Sequence, residues 1–178
     1  TLAGLSISVV RPSALVLNVC VSALAFVQFA RAGHFQWKLF WPFAVLAVPM
    51  AWLGSQVDLE PLVYQRILAL CLLVAVARLF GLFGSGEGDR REVPMALAIG
   101  IGAVLGLVSG VIGIGGGILL SPLLLLFRWA DAKTTAATSA LFILVNSLAG
   151  LAGLWSAGAM LDPRMLTWVG VALIGGLA

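Results

Sequence analysis

The amino-acid sequence predicts an all-α fold of several membrane-spanning helices, one of them broken by glycines. Three observations carry this: 62% of the 178 residues are hydrophobic, only 10% are charged, and the charges bracket uncharged runs of membrane-crossing length. The mean hydropathy of +1.14 reflects more apolar surface than a soluble core of this size can hide. The lipid bilayer is therefore the expected surrounding. Charges are costly at its centre and mark the ends of spans, and a helix needs about 20 apolar residues to cross about 30 Å of hydrocarbon.

The first run lies between Arg11 and Arg31, and the second between Lys38 and Asp58. Between them His34, the single histidine, follows Gly33 in a loop, and Phe35, Trp37, Phe40 and Trp41 read as an interfacial aromatic belt. A third run extends from about Pro61 to Gly84, with Arg66 and Arg78 near opposite ends, where long side chains snorkel outward. The polar, glycine-rich stretch Gly84–Val93 then divides the chain into a first unit (1–84), a linker (85–93) and a second unit (94–178). The fourth run spans Val93–Phe127, the fifth Thr134–Leu161, and a sixth begins after Arg164. The chain starts without methionine and stops inside an apolar run, so both ends are expected to be internal to a longer protein.

The fourth run is too long. As one helix it would measure about 52 Å, and a tilt of about 40° still overshoots the hydrocarbon core. It is expected to break at Gly113, Gly115, Gly116 and Gly117, because glycine has weak helix propensity and accepts positive φ. Before the break, Ala98, Gly102, Gly106 and Gly110 form a small-xxx-small stripe suited to close helix approach. After it, ILLSPLLLLF is long enough only for a half-helix of about ten residues. Non-helical backbone at membrane depth is tolerated where it is buried in protein or lines a polar cavity. The break thus predicts a pathway, and the N–H groups opening the half-helix suit an anion. The competing expectation is that these glycines serve helix packing alone, in a membrane scaffold without transport.

Other side chains join this candidate site. Ser109 precedes the break, and Ser121 and Pro122 lie in the half-helix; Pro122 lacks an N–H and frees a carbonyl that Ser121 can refill. Thr138 and Ser139 open the fifth run, and Asn146, seven residues after Ser139, shares its face. An amide in a span either bonds between helices or meets substrate; Asn18 is its counterpart in the first run. "PSALVLNVCVSALA" and "TSALFILVNSLAG" share Ser-Ala-Leu, an Asn, and a following glycine, Gly33 or Gly158, that ends the helix. This suggests two repeats, and a re-entrant half-helix would give them opposite orientations. That topology places seven of the ten basic residues on one side, against six for a single crossing.

Several classes are excluded or disfavoured. Cys20 and Cys71 sit in separate runs without a CxxC or ligand cluster, so no metal or cofactor is expected. No basic run beyond Arg90-Arg91 calls for nucleic acid, and no GxxxxGK loop for ATP. A serine hydrolase built on Ser109 needs a base in reach, and no His, Asp, Glu or Lys lies inside a predicted span; no catalytic residue is assigned.

"GLVSGVIGIGGGILLSPLLLLF" followed by "AATSALFILVNSLAG" closely resembles the second-repeat signature of the TauE/SafE family of sulfite exporters, also called DUF81 or the toluene sulfonate uptake permease family. The opening "RPSALVLNVCVSALAFVQFARAGHFQWKLFWPFAVLAVPMAWLG" resembles its first repeat from the second helix onward. The resemblance implies secondary transport of small sulfur-containing or organic anions such as sulfite or sulfonates, without ATP hydrolysis; a proton or sodium is the candidate coupling ion, and the sequence does not name which. It also implies a first glycine motif before residue 1 and a last helix after residue 178. Ser109, Gly113, Gly115, Gly116 and Gly117 match the family's glycine motif, with Thr138, Ser139 and Asn146 in the next. Neither substrate identity, direction nor oligomeric state is legible.

Overall fold

The computed structural model describes residues 7–57, 60–79 and 93–158. They form six helices: α1 (Ile7–Arg31), α2 (Trp37–Ser55), α3 (Pro61–Leu79), α4 (Met95–Ile112), α5 (Gly117–Leu126) and α6 (Ala132–Ser156). There is no strand among them, and the fold class is all-α. Within α1 the segment Arg11–Arg31, and the whole of α2, α4 and α6, are long and apolar enough to cross a membrane. The tail of the third run, most of the linker and the sixth run lie outside the described residues.

Helix ends follow local chemistry. After α1, Gly33 takes φ 76°; its N–H bonds the Ala30 carbonyl at 3.0 Å and the next N–H, of His34, reaches Phe29 at 3.2 Å. This is the paired-bond glycine ending that satisfies last-turn carbonyls. Asp131 caps α6, accepting the Thr134 N–H at 2.7 Å. α4 stops at Gly113, whose N–H reaches Ser109 at 2.7 Å while its φ swings to 82°.

The centre of the bundle is the face shared by α2 and α4. A Cβ added to Gly102, Gly106 or Gly110 would strike the backbone carbonyls of Phe43, Ala47 and Ala51 respectively. The two backbones touch because the stripe carries no side chains there. α6 closes over both: Gly153 lies against Trp52 and Ser55, and Gly150 against Leu15 of α1. Leu39, Phe40, Phe43, Leu105, Leu120 and Phe142 fill the core, with Trp129 beside them. Phe40, expected in the aromatic belt, is only 4% exposed and belongs to this core, whereas Trp37 is 63% exposed. Leu70, Leu73 and Val104 face outward, as apolar side chains do when lipid is the solvent.

The contacts fix the direction of each helix. Gly116 lies back against Leu105 and Ser109 of α4, and Trp129, just past α5, sits 6.0 Å from Phe43 near the start of α2. The chain therefore reverses between α4 and α5 and returns to the end from which α4 began. Arg31, Lys38, Arg128 and Lys133 gather at that end, while exposed Arg66 lies near the start of α3, at the other.

Arg11 departs from its expected place at a span boundary: it is 4% exposed. Its Nη2 donates to the carbonyls of Ser55 at 2.9 Å and Gly110 at 3.1 Å, and its Nη1 to Val57 at 3.3 Å. These acceptors cluster at the C-terminal ends of α2 and α4, where carbonyls lack helical partners and the dipoles are negative. Two converging helix ends draw the guanidinium inward. Tyr64 of α3 adds its hydroxyl to the Ile112 carbonyl at 3.1 Å.

Gly106→Leu is expected to lose about 1–3 kcal/mol or more through overpacking, read as a lowered Tm in detergent. Gly100→Leu, where an added Cβ meets nothing within 4 Å, should stay near the parent. Arg11→Met should destabilise by at least about 1.5–3 kcal/mol, the usual worth of a hydrogen bond to a charged group, with Arg11→Lys recovering part of it in the same measurement.

Candidate functional site

The segment from Gly113 to Gly116 joins α4 to α5. Gly113, Gly115 and Gly116 have φ of 82°, 78° and 72°, a conformation that L side chains rarely adopt. Three such residues in four turn the chain back within one helix diameter. The same glycines are also packing residues. A Cβ on Gly115 would come within 2.7 Å of Ile143 Cγ2 and 2.9 Å of Ser147 Oγ, and one on Gly116 within 3.0 Å of Phe142 and 3.1 Å of Ser109. One on Gly117 would overlap Ile143 and come within 2.8 Å of the Ser139 carbonyl. The loop is pressed onto α6, and Ile143 occupies the space between them.

Polar groups surround this seam. Ser121 Oγ lies 2.8 Å from Ser139 Oγ and 2.9 Å from the Gly117 carbonyl. Its hydroxyl does not go to Ile118, whose carbonyl Pro122 leaves without the usual N–H, so the local refilling expected of Ser121 is not what it does. Asn18 Nδ2 donates to the Gly113 carbonyl at 3.4 Å, bringing α1 to the break. Asn146 is fully buried and donates to the Phe142 carbonyl at 2.9 Å, inside its own helix rather than across to another.

Several buried polar atoms have no hydrogen-bond partner among the described residues: Ser109 Oγ, Thr135 Oγ1, Thr138 Oγ1, Asn146 Oδ1 and Ser147 Oγ. Four of the five are on α6. A buried polar group left unpaired costs about 1–3 kcal/mol, so a run of them on one helix needs a reason. Thr138, Phe142 and Asn146 recur every four residues on α6, and so do Ser139, Ile143 and Ser147; each set forms a stripe along one face. The second stripe meets Gly115 and Gly117, and Phe142 of the first meets Gly116.

Sequence reasoning therefore named residues that converge: Ser109, Gly113, Gly115, Gly116, Gly117, Ser121, Ser139 and Asn18 all meet at or beside the loop. Thr138 and Asn146 occupy the neighbouring stripe, and Pro122 is buried in α5 without a polar role. It missed Ser147, although the eight-residue offset from Ser139 places both on one face. It also missed the burial of Arg11, which its flanks do not signal: Val9-Val10 precede it, but Phe29-Ala30 and Leu126-Phe127 likewise precede Arg31 and Arg128.

Beside the loop, a small apolar pocket of about 20 Å³ lies between α3, α4 and α5, lined by Leu72, Val108, Ile112, Ile118 and Leu119 with Ser109 among them. Its lining suits hydrocarbon and not an anion. On the polar side, Ile143 fills the space where a cavity was expected. Among the described residues, no group of three or more His, Cys, Asp or Glu is placed to hold a metal.

The family model described as sulfite exporter TauE/SafE matches residues 1–178. The chain is 36% identical over 184 residues to the "Probable membrane transporter protein y4hK" of Sinorhizobium fredii, covering 98% of this chain and 72% of that protein. No solved structure matches. With four helices among the described residues long and apolar enough to cross a membrane, and one family model matching throughout, this is a multi-pass membrane protein, and the chain belongs to the TauE/SafE sulfite exporter family of membrane transporters.

Proposed function

We propose that the protein is a secondary transporter of small sulfur-containing or organic anions, sulfite and sulfonates among them. The observation that carries this reading is the set of unpartnered buried hydroxyl and amide groups on α6 and α4, of which Ser109 and Ser147 border the turn between α4 and α5. A protein that merely packs helices gains nothing from leaving them unpaired, whereas a transport path needs groups that exchange partners with a passing solute. The candidate contacts are Ser109, Ser121, Thr138, Ser139 and Asn146, with the turning backbone at Gly113, Gly115, Gly116 and Gly117 and with Asn18. Arg11, the one buried charged residue described, supplies positive potential at the same end of α1 and so favours an anion over a metal cation.

On this reading α4 and α5 form a re-entrant hairpin, and the end bearing Arg31, Lys38, Arg128 and Lys133 faces the cytoplasm, with the chain in the cytoplasmic membrane. The two units are inverted repeats. In support, α1 and α6 are each 25 residues long, end in glycines of φ 76° and 81°, and run antiparallel, with Leu15 against Gly150. Sites at the interface between such repeats, with one unit moving against the other, are the general design of secondary transporters. Ile143 filling the seam makes the described conformation a closed one. A proton or sodium gradient supplies the driving force.

The direct test is flux of radiolabelled sulfite and short sulfonates into vesicles containing the full-length protein, with and without a proton gradient. Flux of at least one of these anions is expected, and no flux for any of them would favour the scaffold reading. Substitutions at Gly115 and Gly116 strain the backbone as well as the site, so Ser139→Ala and Ser121→Ala are cleaner variants. Each should raise the apparent KM about fivefold, the equivalent of one hydrogen bond of about 1 kcal/mol, at unchanged protein abundance. An unchanged KM in both would remove this pair from the substrate path.

A further inference from the structure

Several serines on these helices spend their hydroxyls locally. Ser55 and Ser156 bond carbonyls three residues back, at 2.8 Å in each case, Ser22 bonds the Asn18 carbonyl, and Ser121 the Gly117 carbonyl. That is the default sink for a helical serine. Ser147 has the same option, yet its Oγ is fully buried and has no partner among the described residues. It is aimed instead at Gly115: the point where a Gly115 Cβ would stand is 2.9 Å from Ser147 Oγ and 3.4 Å from Asn18 Nδ2. A hydroxyl and an amide donor from two different helices thus meet at the turn.

Ile143 separates this pair from the other. Its Cγ2 lies against Gly115, its Cγ1 and Cδ1 lie against Gly117, and the Ser121–Ser139 hydroxyl pair lies on the Gly117 side. Four residues of helix are about 6 Å, so Ser139, Ile143 and Ser147 make a ladder of polar, apolar and polar rungs along one face of α6. A branched aliphatic side chain held between two hydroxyl rungs, against a loop without side chains, bars the ladder as long as it stays there.

We propose that Ile143 is the plug of the substrate path, and that Ser147 with Asn18 forms a second polar station for a small oxyanion, reached when Ile143 leaves Gly115 and Gly117. This rests on the anion-transport reading above and extends it to a residue outside the glycine and Thr-Ser motifs. The sign of the ligand follows from the donors. Asn18 presents its N–H toward the loop, and Arg11 stands two turns away on the same face of α1, so a sulfite or sulfonate oxygen is favoured over a sodium ion.

The test uses the full-length protein with Cys20 and Cys71 replaced by Ala and a single Ser147→Cys substitution, in membrane vesicles. The readout is the rate of labelling by a membrane-impermeant methanethiosulfonate reagent, with folding checked by size-exclusion chromatography. Ile143→Ala in that background should speed labelling about tenfold or more, by shifting the open–closed balance, and Ile143→Val should speed it less. Saturating ethanesulfonate should slow it, and Leu148→Cys on the neighbouring outward face should stay unlabelled. Rates at position 147 that neither Ile143 variant changes would overturn the plug. Acceleration without protection by ethanesulfonate would overturn the anion station while leaving the plug. Protection at position 147 together with absent sulfite and sulfonate flux would count against the transport reading and not against the station.

Discussion

The bundle depends on satisfying carbonyls at the ends of α2 and α4. In a bilayer no bulk water is available for the last-turn acceptors of a helix, so protein groups must supply the donors. Arg11 does so for three carbonyls on two helices and the segment after α2, and Tyr64 does so for Ile112. The guanidinium serves this purpose better than an ammonium, because its planar array of N–H groups reaches acceptors on separate helices at once. Without such donors α4 has no favourable place to stop, and the turn into α5 follows directly from where it stops.

The glycine stripe and the glycine turn are two answers to one geometric demand. Gly102, Gly106 and Gly110 let α4 sit on the backbone of α2, which brings the two helix ends close enough for one arginine to serve both. Gly113, Gly115 and Gly116 then turn the chain through conformations that residues with side chains rarely adopt. Lacking side chains, they also allow α5 to lie against α6. At Gly115 positive φ and close approach are required together, so turning the chain and packing it are one role there.

Much of this was legible because it obeys simple counting. Run lengths between charges gave the helices, and the excess length of the fourth run located the turn between α4 and α5. Spacing of four identified the stripe, and Gly33 marked the end of α1. What was not legible depended on long-range convergence. Arg11 looked like a boundary charge because the sequence does not show that the carbonyls of Ser55, Val57 and Gly110 meet in one place. Phe40 looked interfacial because it stands among Phe35, Trp37 and Trp41, while its burial depends on where α2 meets the core. Ser147 was overshadowed by Asn146, whose amide is the more conspicuous polar group but finds a partner within its own helix.

On the proposed reading, the division of labour between Arg11 and the α6 hydroxyls has a physical logic. An anion gripped directly by a buried guanidinium in low dielectric would bind tightly and leave slowly, since charge-assisted hydrogen bonds are about twice as strong as neutral ones. Arg11 is instead committed to helix-end carbonyls, from which its charge biases the region without seizing the solute. The groups left to touch the anion are neutral hydroxyls and amides, each worth about 1 kcal/mol. A chain of such weak contacts lets a solute exchange one partner for the next. The unpaired hydroxyls weaken the closed state, and tight packing of Ile143 on the glycines offsets that weakness only while the path is shut. Closed and open forms are thereby kept within a few kcal/mol of each other, as alternating access requires.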